Sequence, residues 1–68
     1  MMNRTVTINR KQYEVTSEQT REQIAQDHPL TAANMERAGQ AAYLTVKLPT
    51  GKREYMALEF VSGTVQML

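Results

Sequence analysis

The sequence predicts an α+β fold in the order ββ-αα-βββ: an antiparallel sheet of four or five strands, curled toward a small barrel, with two short helices. Three observations lead there. Apolar residues alternate with polar ones over 5–15 and again, more strongly, over 42–68. Between these stretches lie good helix formers interrupted by His28-Pro29. Turn residues stand between the alternating runs, at Pro49-Thr50-Gly51-Lys52 and Ser62-Gly63.

In the first run Val6, Ile8, Tyr13 and Val15 fall on one face of a hairpin. A loop around Asn9-Arg10-Lys11-Gln12 sets Ile8 opposite Tyr13 and Val6 opposite Val15. Arg10-Lys11 lacks the Gly or Asn of a type I′ turn, which favours a four-residue loop. Thr16-Ser17-Glu18-Gln19 fits a capping box, so a helix is expected to open at Thr16 and to end at His28-Pro29, with Ile24 and Ala25 on its narrow buried stripe. A second helix is expected from Thr31, with Leu30 and Met35 as a hydrophobic staple and Gly39 as the stop.

Ala42, Leu44, Val46 and Leu48 then alternate with Tyr43, Thr45 and Lys47. Met56, Leu58 and Phe60 alternate with Tyr55, Ala57, Glu59 and Val61, and Val65 and Met67 with Thr64, Gln66 and Leu68. A two-residue Ser62-Gly63 turn pairs Phe60 with Val65 and Leu58 with Met67. An odd-numbered loop near Gly51 pairs Val46 with Met56 and Leu44 with Leu58. In these registers all nine apolar side chains share one face. The other face opposes Tyr43 to Glu59 and Lys47 to Tyr55.

At 68 residues the chain is read as one domain, 1–68. A core of this size is marginal, burying roughly 60% of the unfolded surface. With no cysteine there is no disulfide or thiolate to reinforce it, so self-association is an open route to stability. Eight basic and seven acidic residues give a net charge of +1, not the footprint of a dedicated nucleic-acid binder. No apolar run approaches the roughly 20 residues of a membrane helix, and Met1-Met2-Asn3-Arg4-Thr5 has no signal-peptide core, so a cytoplasmic protein is expected.

Catalytic chemistry finds little support. His28 is the only histidine, and its neighbour Asp27 would project from a helix in another direction; a histidine at a helix C-terminus is the simpler reading. Glu18 and Glu22 share a predicted helix face, but no second carboxylate cluster completes a metal site. Ser17 and Ser62 lack nucleophile context, and Gly39, Gly51 and Gly63 are isolated. No catalytic residue, metal or cofactor is therefore expected, and the chain reads as a non-enzyme.

Two surfaces remain. Tyr43, Thr45, Lys47, Tyr55 and Glu59 on the second sheet face have the tyrosine-and-polar character of a recognition surface. Arg10, Lys11, Lys52 and Arg53 stand at two hairpin tips and would grip phosphate if the tips share one end, with Arg4 nearby. The expectation is a small non-enzymatic binding protein acting through protein–protein contact, of the accessory or inhibitor type found in bacteria, phages and plasmids, either self-associating or with a protein partner. The alternative is a nucleic-acid-binding regulator using the basic tips.

The opening Val6-Thr7-Ile8 and Tyr13-Glu14-Val15, followed by a helix, resembles the start of a β-grasp domain, as in ubiquitin-like sulfur carriers and plant-type ferredoxins. The resemblance covers about twenty residues. The chain ends in Gln66-Met67-Leu68 where the carriers have Gly-Gly, and it lacks the ferredoxin cysteines, so neither activity carries over.

Overall fold

The computed structural model describes residues 4–68. Met1-Met2-Asn3, part of the segment read above as lacking a signal-peptide core, lie outside the described residues. The elements are β1 (Arg4–Ile8), β2 (Lys11–Thr20), α1 (Arg21–Asp27), α2 (Pro29–Arg37), β3 (Gln40–Lys47), β4 (Glu54–Phe60) and β5 (Val65–Met67). The five strands form one sheet in chain order, and every pairing is antiparallel. The sheet curls into a half-barrel whose edge strands β1 and β5 approach one another. The predicted α+β class and ββ-αα-βββ order are thus present.

The first hairpin is tighter than expected. Asn9 and Arg10 both have positive φ (52° and 68°) and form a two-residue type I′ turn between Ile8 and Lys11. Asn9 supplies the left-handed residue that the expected Arg10-Lys11 turn lacked. The turn slides the register by two: Val6 pairs with Tyr13 and Arg4 with Val15. An even slide preserves facing, so Val6, Ile8, Tyr13 and Val15 all enter the core as expected.

β2 continues where a helix was expected. Thr16 is bulged, and Ser17 to Thr20 pair with Thr45 to Ala42. The lower half of β3 needs a partner on this side, and that tertiary demand overrides the modest strand propensity of Glu18 and Gln19. The capping box moves down the chain: the Thr20 hydroxyl accepts from the Gln23 amide (3.2 Å), and the Gln23 side chain accepts from the Thr20 amide (2.9 Å). α1 therefore opens at the Thr20 cap, not at Thr16. It buries Ile24, while Ala25 stays exposed.

His28 caps the end of α1 and precedes Pro29, the first residue of α2. Starting at Pro29 turns Leu30 outward, 80% exposed, so no staple forms with Met35. Ala32 and Met35 of α2, with Ile24 of α1, pack against Tyr43 on the outside of the sheet. Gly39, at φ 72°, lets the chain leave α2 and enter β3 as expected.

The largest departure is at β4. Lys47 pairs with Glu54, leaving a six-residue loop where an odd number was expected. After β4, Phe60 NH donates to the Thr64 carbonyl (2.8 Å), and Gly63 NH to the Phe60 carbonyl (2.9 Å). This closes a three-residue loop with Gly63 at φ 97°, not the expected two-residue turn. Each loop differs by one residue in parity, and the two changes together rotate β4 alone. Leu44 now faces Ala57, Val46 faces Tyr55, Tyr43 faces Leu58, and Met67 faces Ala57. Of the nine side chains expected on one face, Ala42, Leu44, Val46, Leu48, Val65 and Met67 join the inner core. Met56, Leu58 and Phe60 turn to the outer face.

Two substitutions test the turn assignments by chemical denaturation. Gly39→Ala meets no atom within 4 Å but must hold a left-handed backbone, and should cost about 1 kcal/mol. Arg10→Gly should relieve the same strain in the type I′ turn, a gain offset by backbone entropy to at most about 1 kcal/mol. A stabilising Gly39→Ala, or an Arg10→Gly costing more than about 1 kcal/mol, would contradict these backbone assignments.

Candidate functional site

The register separates the residues of the expected tyrosine face. Tyr55 and Glu59 point into the half-barrel, whereas Tyr43, Thr45 and Lys47 belong to the outer face. Tyr55 packs on the inner core and meets Tyr13 edge to face, with ring centroids 6.3 Å apart and planes at 87°. Tyr43 packs instead beneath α1 and α2. The two tyrosines stand on opposite faces, and removing both would strike two separate packing clusters. Lys47 sits between Glu54 and Glu14 rather than opposite Tyr55, with its Nζ 3.2 Å from the Glu14 carboxylate.

Glu59 has a structural partner across the barrel. Arg4 Nη1 and Nη2 donate to its two carboxylate oxygens at 2.8 and 3.1 Å, while Glu18 lies 3.6 Å from Nη2. The bridge spans β1 to β4 and closes the helix-side mouth of the half-barrel. The hydrogen bond to Glu59 holds the Arg4 guanidinium above its ordinary pKa, against the opposing effect of burial and with help from both carboxylate charges. Its charge-dependent stabilisation is therefore full at all lower pH on the arginine side, and is lost only as pH rises through that elevated value. Arg4 Nε is buried with no hydrogen-bond partner among the described residues. Arg4 is thus committed to the barrel mouth and does not join the hairpin tips as expected.

Glu18 and Glu22 do not share a helix face, because Glu18 belongs to β2 and Glu22 to α1. Among the described residues no three acidic, histidine or cysteine side chains gather as a metal site. No described helix is long and apolar enough to cross a membrane. His28 is exposed at the α1–α2 junction. An open groove of about 360 Å³ lies between these helices, with Ala25, Pro29, Ala32 and Ala33 as its apolar lining and Arg21, Glu22 and Glu36 as its charged groups. Arg21 is held in place by donating to the Gln40 carbonyl at 2.9 Å.

Two surfaces emerge from this geometry. The first is the outer face of β3, β4 and β5. Leu68 NH donates to the Met56 carbonyl (3.0 Å), placing Leu68 beside Met56. Leu68 and Met56 are 68% and 50% exposed, Thr45 pairs with Met56 on the same face, and Phe60 lies further along β4 beyond the buried Leu58. Sequence reasoning assigned Met56 and Phe60 to the core and so missed this surface. The available signal was that both alternations of β4 carry large side chains. The second surface is the loop end of the sheet. Antiparallel order brings the Asn9-Arg10 turn and the loop 48–53 to the same end, with Arg10, Lys11, Lys52 and Arg53 all exposed.

No family model matches the chain, and comparison with curated proteins and with solved structures likewise found no match.

Two measurements check this arrangement. Arg4→Met should lower stability by about 1–3 kcal/mol, because it leaves the Glu59 carboxylate half-buried without its bidentate donor; an unchanged unfolding midpoint would contradict the bridge. In peroxide footprinting read by mass spectrometry, Met56 should oxidise well before Met35, which is 2% exposed. Equal protection of Met56 and Met35, measured at a dilution where the chain is monomeric, would contradict the outward orientation of Met56.

Proposed function

We propose that the chain is a small non-enzymatic binding protein that acts in the cytoplasm through protein–protein contact, with the outer face of β3–β5 as its contact surface. One observation carries this reading: the larger apolar stripe of β4 lies outside the barrel, with Met56 half exposed beside an exposed Leu68. Exposed apolar patches on small domains mark contact sites, since leaving them in water forfeits the stabilisation that burial supplies.

The occupant that fits is a second copy of the chain. The face around Met56, formed by Thr45, Met56, Gln66 and Leu68, carries no ionisable side chain, so apolar and uncharged polar side chains of two copies meet there. A core as small as this one also gains most from added burial.

Sedimentation over a concentration series tests the proposal. The wild-type chain should pass from monomer to dimer, and Met56→Glu with Leu68→Glu should remain monomeric with an unchanged circular dichroism spectrum. Both side chains are exposed in the monomer, so the substitutions leave its core intact. A wild-type chain that stays monomeric throughout, or a double variant that still dimerises, would refute the reading.

A further inference from the structure

We propose that the loop end of the sheet is a nucleic-acid backbone site, in which Arg10, Lys11, Lys52 and Arg53 grip successive phosphates. The proposal is independent of the outer face of β3–β5.

The near-neutral total charge conceals a separation along the molecule. Near the loop end stand five cations, Arg10, Lys11, Lys47, Lys52 and Arg53, and two carboxylates, Glu14 and Glu54, for a net +3. The other three cations, Arg4, Arg21 and Arg37, stand with five carboxylates, Glu18, Glu22, Asp27, Glu36 and Glu59, for a net −2. The two groups account for the overall +1.

Pairing sharpens the asymmetry. Lys47 is spent on Glu14, Arg4 on Glu59 and Glu18, and Arg21 and Arg37 donate to Gln40 and Asn34. Arg10, Lys11, Lys52 and Arg53 form no ion pair among the described residues, and all four are exposed. Ordinary solubility charges are interspersed by sign, whereas these are gathered and left unneutralised.

The spacing suits a polymer of phosphates. β2 and β3 are neighbours, so the centres of the two hairpins stand about two strand spacings, or about 10 Å, apart. That is about three base-pair rises along the axis of a duplex. β2 also runs three residues beyond the end of its pairing with β3, which carries Lys11 alongside the loop that holds Lys52 and Arg53. The two-residue turn and paired strands hold the first tip rigid, so the cations are presented without a large ordering cost. Backbone contacts of this kind carry no base preference.

Fluorescence anisotropy with labelled mixed-sequence DNA and RNA tests the site. Binding should be seen at low salt and weaken between about 50 and about 200 mM salt, with a log–log slope approaching about −3.6 on duplex DNA for four phosphate contacts. Replacing Arg10, Lys11, Lys52 and Arg53 together by glutamine should lower affinity at least tenfold and flatten the slope, with an unchanged circular dichroism spectrum. Arg37→Gln, at the opposite end, should bind as wild type. No binding at low salt would overturn the proposal, as would equal losses in the quadruple and Arg37→Gln variants. Capture of polyglutamate but not of DNA or RNA would also overturn it, by marking the end as a site for acidic polypeptide. Met56→Glu with Leu68→Glu, assayed as a monomer, should still bind; this keeps failure of the phosphate site distinct from failure of the outer-face contact.

Discussion

The inside of the curled sheet accepts one face of β4, and the structure depends on which. Val6, Ile8, Tyr13, Val15, Leu44 and Val46 already fill most of the interior from the other strands. Ala57, fully buried between Leu44 and Met67, suits the space that remains. Leu58 or Met56 there would overfill a tightly curled sheet, and close-packed interiors tolerate excess volume poorly. The same orientation brings Glu59 to Arg4 and Tyr55 to Tyr13. One rotation of one strand thus sets the core volume, the ion pair that joins β1 to β4, and the apolar character of the outer surface.

Curvature makes that interior possible. A bulge at Thr16 interrupts the β2–β3 ladder and one at Ala41 interrupts the β3–β4 ladder, and each increases the local twist. The meander then bends far enough for its edge strands to approach. The first hairpin covers the core as a continuation of the sheet, leaving α1 and α2 to pack outside on Tyr43. Arg4 and Glu59, at 2.8 Å across the mouth, tie the bend together at its helix side.

Much of this was legible in the residues. Strong alternation in β1, β2 and β3 identified inward and outward side chains, Pro29 and Gly39 marked helix boundaries, and the turn-rich stretches separated the last strands. β4 was not legible because Tyr55-Ala57-Glu59 and Met56-Leu58-Phe60 are both plausible inner faces, and local hydrophobicity favours the wrong one. Only the volume contributed by distant strands decides between them. Ser17 to Thr20 failed for a related reason: their local preference is helical, and the need of β3 for a partner is not local. The candidate tyrosine face inherited the β4 error, since it required Tyr55 to lie beside Tyr43. The basic tips depended only on strand direction and hairpin order, which alternation does reveal. Their shared end was therefore foreseeable, while the commitment of Arg4 elsewhere was not.

The orientation of β4 can be measured directly by nuclear Overhauser contacts between backbone protons of β3 and β4 in the uniformly labelled protein. The account predicts cross-strand contacts that pair Tyr43 with Leu58 and Thr45 with Met56, together with Tyr13–Tyr55 ring contacts. Contacts pairing Leu44 with Leu58 and Val46 with Met56 would place the other face of β4 inside. They would contradict the core, the Arg4–Glu59 bridge and the proposed outer contact surface together.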